Sequence, residues 1–189
     1  MKVIESSLNG VKLLQPTVYG DQRGFFLESF NERSFEDLGL ETKYVQDNHS
    51  LSEEAGTLRG LHYQLNPKAQ LKVVRVITGA IYDVVVDLRK ESPTYKQWKG
   101  YILNQYNHRM LVVPKGFAHG FCTLTRGTNV CYKVDEYYSS EHDRGIIWND
   151  PELRIDWPVK EPILSNKDQL HPMLKDAEIN FESEEVQVL

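Results

Sequence analysis

The sequence predicts an all-β fold of the sandwich, jelly-roll or barrel kind, and three observations carry that reading. Residues 72–89 alternate with period two: Val74, Val76, Ala80, Tyr82, Val84, Val86 and Leu88 occupy even positions, while Arg75, Asp83, Asp87 and Arg89 occupy odd ones. Further short β-rich runs follow at 101–103, 110–113, 116–125 and 130–138, separated by Asn/His, Pro-Lys-Gly and Arg-Gly-Thr turn chemistry. Helical patterning is sparse.

Taken in order, Thr78-Gly79 between the two halves of the first run predicts a hairpin. A short helix is expected over Asn31 to Leu38, stopped by Gly39, and a turn or two after Ser165. The acidic stretch 180–189 is expected to be a loosely packed tail. No linker, repeat or low-complexity block divides the 189 residues, so a single domain spanning 1–189 is expected.

Composition narrows the functional class. Twenty-two Lys and Arg stand against 27 Asp and Glu, a formal net charge of −5, which disfavours a general nucleic-acid binder but leaves room for a local basic pocket. Two cysteines without ligand-like spacing indicate neither a disulfide framework nor a structural zinc site. The N-terminus lacks a signal-peptide pattern, and no charge-free stretch approaches the roughly 20 residues of a membrane span. A soluble, cytoplasmic protein is expected.

Several polar residues fall where a plain β core would exclude them. Lys72 shares parity with Val74 and Val76; the competing reading is a lysine at a strand end that snorkels to water. Tyr132 shares parity with Val130 and Val134, as a core tyrosine tied to backbone also would. His119 alternates with Phe117 and Phe121 and, alone, is equally a satisfied core histidine. Arg59 and His62, three apart, lie on opposite faces of a regular strand unless Gly60 introduces a bulge. Jointly, a cation, a phenol and two imidazoles point to a solvated cavity, because one small core would leave them unpaired. Pro114-Lys115-Gly116-Phe117-Ala118-His119 matches part of the metal motif of cupin barrels, but residue 64 is Gln and no His-x-His occurs. Metal-free acid–base chemistry is therefore favoured over a metal site.

Asp21-Gln22-Arg23-Gly24-Phe25-Phe26-Leu27-Glu28, Gln46-Asp47-Asn48-His49-Ser50, Leu58-Arg59-Gly60-Leu61-His62-Tyr63-Gln64, Asp83-Val84-Val85-Val86-Asp87-Leu88-Arg89, Ser92-Pro93-Thr94, Pro114 to Phe121 and Trp148-Asn149-Asp150-Pro151 resemble, in order, the motifs of dTDP-4-dehydrorhamnose 3,5-epimerases. The resemblance spans roughly residues 1–175 and implies a cupin-like jelly roll with short peripheral helices and no cofactor. It implies a dTDP-4-keto-6-deoxysugar substrate, His62 as base, Asp168 as its carboxylate partner, Lys72 beside the enolate oxygen, and Tyr132 as proton donor on the opposite face. It further assigns substrate contacts to Arg23, Phe26, Glu28, Gln46, Asn48, Arg59, His119, Tyr138, Asp143 and Lys167, with Asp143 standing where the family usually has Glu. Relatives of this kind are typically homodimers that lend the N-terminal strand to the partner, which would carry Arg23, Phe26 and Glu28 into the neighbouring site. A single-site epimerase or ketoisomerase, and a catalytically silent sugar-nucleotide-binding cupin, are the alternatives.

Overall fold

The computed structural model describes residues 1–181; of the expected loose acidic tail, Asn180 and Phe181 are instead packed, Phe181 in the core and Asn180 donating to the Asn66 carbonyl, and residues 182–189 lie outside the described residues. Two antiparallel sheets face each other. One contains β1 (Lys2–Ser7), β2 (Val11–Gln15), β10 (Met110–Val113), β7 (Lys72–Thr78), β12 (Thr128–Val134) and β5 (Gln46–Ser52), in that order. The other runs β13 (Asp143–Gly145), β6 (Leu58–Gln64), β11 (Phe117–Thr123), β8 (Ala80–Asp87) and β9 (Trp98–Asn104). This is the expected all-β, cupin-like jelly roll. β3 (Val18–Asp21) and β4 (Gly24–Leu27) form a separate two-stranded hairpin that joins neither sheet.

Apolar alternation explains the layers. Val74, Val76, Leu111, Leu13 and Val130 of the first sheet pack against Ile81, Val85, Leu103, Phe117 and Phe121 of the second, filling the space between them. The outer face of the second sheet carries Leu61, Val84, Val86 and Ala118, covered by Ile146, Leu153, Trp157, Leu174 and Phe181 of the C-terminal segment. The outer face of the first is covered by Phe35 of α1 (Glu32–Glu36). Asn31 caps that helix by accepting from the Ser34 amide, and Gly39 follows its end at φ 61°. The expected turn after Ser165 is α2 (Asn166–Gln169), with Ser165 as its cap.

The expected hairpin at Thr78-Gly79 is absent: β7 and β8 belong to different sheets. Gly79, at φ 82°, turns the chain from one sheet to the other where a Cβ would fall 2.4 Å from Thr128 Oγ1. The corner also reverses parity. Even residues Val74 and Val76 point between the sheets in β7, but in β8 the odd residues Ile81 and Val85 do so and even Val84 and Val86 face outward. Asp83 shares the parity of Ile81 and Val85, so it is an interior residue with no exposure, where the simple alternation put it on a polar face.

Candidate active site

The second sheet brings Arg59, His62 and His119 onto its inner face. Phe121 of β11 pairs with Arg59 and His119 with His62, so two residue steps on β11 oppose three on β6. This bulge gives Arg59 and His62 a common face despite their odd spacing. Gly60 sits in it at φ 119°, against Gly120 of β11: a Cβ there would lie 2.6 Å from the Gly120 Cα and 2.7 Å from the His119 carbonyl oxygen. Arg59 then spans the gap between sheets, donating to Ser52 Oγ at 3.2 Å and to the Leu51 carbonyl at 3.1 Å.

His62 Nε2 meets Asp168 Oδ1 at 2.5 Å. Asp168 is buried in α2, and its other oxygen accepts from Ser165 Oγ at 2.7 Å. Burial would raise the Asp168 carboxyl, but the His171, His62 and Ser165 side chains turned toward it outweigh that and hold the group well below the usual carboxylate range. Burial lowers His62, opposed by Asp168 and assisted by the Lys72 and Lys167 charges, and the net shift is downward. The pair at neutral pH is thus a neutral imidazole beside a carboxylate. An ionised acceptor at Nε2 selects the Nε2–H tautomer, leaving Nδ1 with the lone pair of a base.

The first sheet supplies the facing wall. Tyr132 pairs with Val74 and Asn48, and its neighbouring row joins Lys72, Val134 and Gln46, so Lys72, Tyr132, Gln46 and Asn48 share the inner face. Lys72, at the start of β7, keeps its ammonium on that side; burial drives it down to about 8 against the raising charges of Asp143 and Asp83. Burial raises the Tyr132 phenol, which keeps its proton at neutral pH. Gln46 donates to Asn48 Oδ1 at 2.8 Å and accepts from the Tyr138 amide at 3.2 Å.

Asp143 closes one end. Its Oδ2 accepts from the Tyr138 hydroxyl at 3.0 Å and forms an ion pair with Lys167, the residue before Asp168. Tyr138 and Lys167 thus meet on one oxygen of the shorter side chain at 143. Beneath the site, His119 Nε2 contacts Asp83 Oδ1 at 2.6 Å, both residues buried.

Arg23, Phe26 and Glu28 are not assembled with this cluster. They lie on or just after the β3–β4 hairpin; Arg23 pairs with Asp21 at 2.5 Å, Phe26 is 66% exposed, and Glu28 accepts from Asn31 Nδ2 at 3.1 Å. Sequence reasoning missed two members of the site. Asp83 sits with the polar set in the simple alternation and is turned inward by the corner at Gly79, whereas His171 follows a non-repetitive turn and gave no periodic signal.

Among the described residues, one group has metal-ligand chemistry: His62, Asp168 and His171, with donor atoms within 4.8 Å of one another. Two ligands on one tetrahedral zinc stand about 3.3 Å apart, given bonds of about 2.0 Å. The 2.5 Å between His62 Nε2 and Asp168 Oδ1 is instead the spacing of a hydrogen-bonded pair.

The family model described as dTDP-4-dehydrorhamnose 3,5-epimerase matches residues 5–176. A Shigella flexneri protein named dTDP-4-dehydrorhamnose 3,5-epimerase is 50% identical over 169 residues, covering 89% of this chain and 93% of that protein. The crystal structure of dTDP-4-dehydrorhamnose 3,5-epimerase from Bacillus anthracis str. Ames, with TDP and PPi bound, superposes with a TM-score of 0.90 at 63% identity over 92% of this chain and 99% of that one. That of a dTDP-6-deoxy-D-glucose-3,5-epimerase from Legionella pneumophila Philadelphia 1, in complex with dTDP-4-keto-L-rhamnose, gives 0.91 at 41% identity over 97% and 99%. With fold, motifs and nearly the whole length in agreement, the chain belongs to the dTDP-4-dehydrorhamnose 3,5-epimerase family.

Proposed function

We propose that this site performs the family's isomerisation by metal-independent proton transfer, converting dTDP-4-dehydro-6-deoxy-D-glucose to dTDP-4-dehydro-L-rhamnose in dTDP-L-rhamnose biosynthesis. The C–H bonds on carbons 3 and 5 flank a ketone at carbon 4 and are weakly acidic. His62 Nδ1 takes the proton, and the bonding pair moves onto the ketone oxygen as an enolate. Lys72 faces that oxygen and offsets its charge, an interaction that strengthens as the charge develops. Tyr132 then delivers a proton to the same carbon from the opposite face, inverting it. A base that returned its own proton would only regenerate substrate.

The observation that supports this reading best is the placement of the His62–Asp168 pair and Tyr132 on inner faces of opposing sheets. Gln46, Asn48, Arg59, His119, Tyr138, Asp143 and Lys167 are the contacts we assign to the nucleotide and sugar, with Arg59 and Lys167 matched to the diphosphate by charge. Arg23, Phe26 and Glu28 reach a substrate only if a second copy carries the hairpin to this site, so we assign the chain to a homodimer. Its two free cysteines fit a reducing cytoplasm.

Turnover in heavy water tests the reaction. Double epimerisation places solvent deuterium at carbons 3 and 5 of the product. Label at one carbon, or a 3-keto product, identifies a single-site epimerase or a ketoisomerase, and label at neither contradicts proton abstraction altogether.

A further inference from the structure

His171 takes no part in the chemistry above, yet it is built into the site. Its side chain is 8% exposed, and its ring packs edge-to-face on His62 with centroids 5.3 Å apart. Its Nε2 is buried without a hydrogen-bond partner and lies 3.5 Å from Asp168 Oδ1, the same oxygen that contacts His62. Gly145, which pairs with His62 across β13 and β6, makes the room: a Cβ at 145 would lie 2.3–2.5 Å from three atoms of the His171 ring. The segment is pinned just beyond, where the Ile147 amide donates to the Pro172 carbonyl at 2.9 Å.

We propose that His171 is a positioning residue for His62: its ring, seated on Gly145, fixes the plane of the His62 imidazole, and its Nε2–H withdraws part of the Asp168 carboxylate from His62. The proposal rests on the reading of His62 as the base. An ionised oxygen favours the His171 tautomer that carries its proton at Nε2. A carboxylate shared between two N–H groups is a weaker partner to each, so His171 tempers the basicity that Asp168 confers. The other charged and titratable groups on the walls around His62 are Arg59 of β6, Lys167 of α2, Lys72 of β7, Asp83 of β8, His119 of β11, Tyr132 of β12 and Asp143 of β13.

The test is an NMR titration of the His62 imidazole, paired with the pH profile of kcat/KM, in the full chain. His171→Phe and His171→Leu remove the N–H, and His171→Gln keeps a donor. In the first two, the His62 midpoint and the acid limb of the profile should both move to higher pH, by about half a unit or more; His171→Gln should stay near the parent. A midpoint unmoved in His171→Phe and His171→Leu overturns the proposal, as does an equal shift in all three variants, which marks a packing effect. Failure of the base reading is distinguishable: His62→Asn would then retain deuterium exchange, whatever the His62 titration shows.

Discussion

His62 and Asp168, 106 positions apart in the chain, stand 2.5 Å apart at Nε2 and Oδ1. A strand of the second sheet supplies the imidazole and a one-turn helix supplies the carboxylate, which Ser165 both caps and orients. The contact fixes which ring nitrogen is free and keeps the carboxylate ionised across the working pH range. Asp168→Asn preserves shape and loses the charge, so the tautomer is no longer dictated. Initial rates with the keto sugar should fall roughly 10²–10⁴-fold, with a smaller change in KM.

The two shifted groups set the pH profile. In its proposed role as base His62 must be neutral, and its depressed midpoint places the expected acid limb of kcat/KM below the ordinary histidine value of 6.5. In its proposed role beside the enolate Lys72 must be charged, and burial brings it down to about 8, so activity should fall on the alkaline side near that value. Tyr132 shifts upward and stays protonated through both limbs. Lys72→Arg, which does not titrate in this range, should abolish the alkaline limb even where overall rate is reduced.

The bulge at Gly60 offers a test of the scaffold. Gly60→Ala places a Cβ 2.6 Å from the Gly120 Cα with φ at 119°, and neither strand can yield without disturbing the His119–His62 row. Urea unfolding should show a loss of at least about 2 kcal/mol. The surviving folded fraction should be less active per molecule, since Arg59 and His62 share a face only through that bulge.

Legibility in the sequence followed regularity. The strands at 110–113 and 117–123, the capped helices after Asn31 and Ser165, and the inward parity of Lys72 and Tyr132 were all readable from local pattern. The path of the chain at Gly79 was not: a glycine between two alternating runs looks the same whether the runs pair or part into facing sheets. Asp83 was misplaced for that reason, because the corner exchanges inner and outer parity. Strands β1 to β5 gave no strand signal: β5 is almost wholly polar in sequence, so its alternating burial has no apolar counterpart, and the β3–β4 hairpin does not alternate in burial. The partnership of His62 with Asp168 came from resemblance, as no periodicity links residues so far apart.

Shared sites make a prediction for mixtures. Arg23→Ala and His62→Ala should each be severely impaired alone. Unfolded and refolded together, or coexpressed, they should regain activity, because the proposed dimer, when mixed, has one site with His62 from one chain and Arg23 from the other. Initial rates of the mixture no greater than the sum of the separate proteins would refute exchange of the β3–β4 hairpin between copies.

Two-face proton transfer is tested most directly by the Tyr132→Phe protein in heavy water, with NMR of the recovered sugar. The phenyl ring keeps the wall of the site and removes only the donor, while His62 can still abstract a proton, exchange it and return it from its own side. The account predicts substrate that is deuterated beside the ketone yet not inverted, with His62→Ala giving neither label nor product. Loss of exchange and inversion in equal measure in Tyr132→Phe would contradict it.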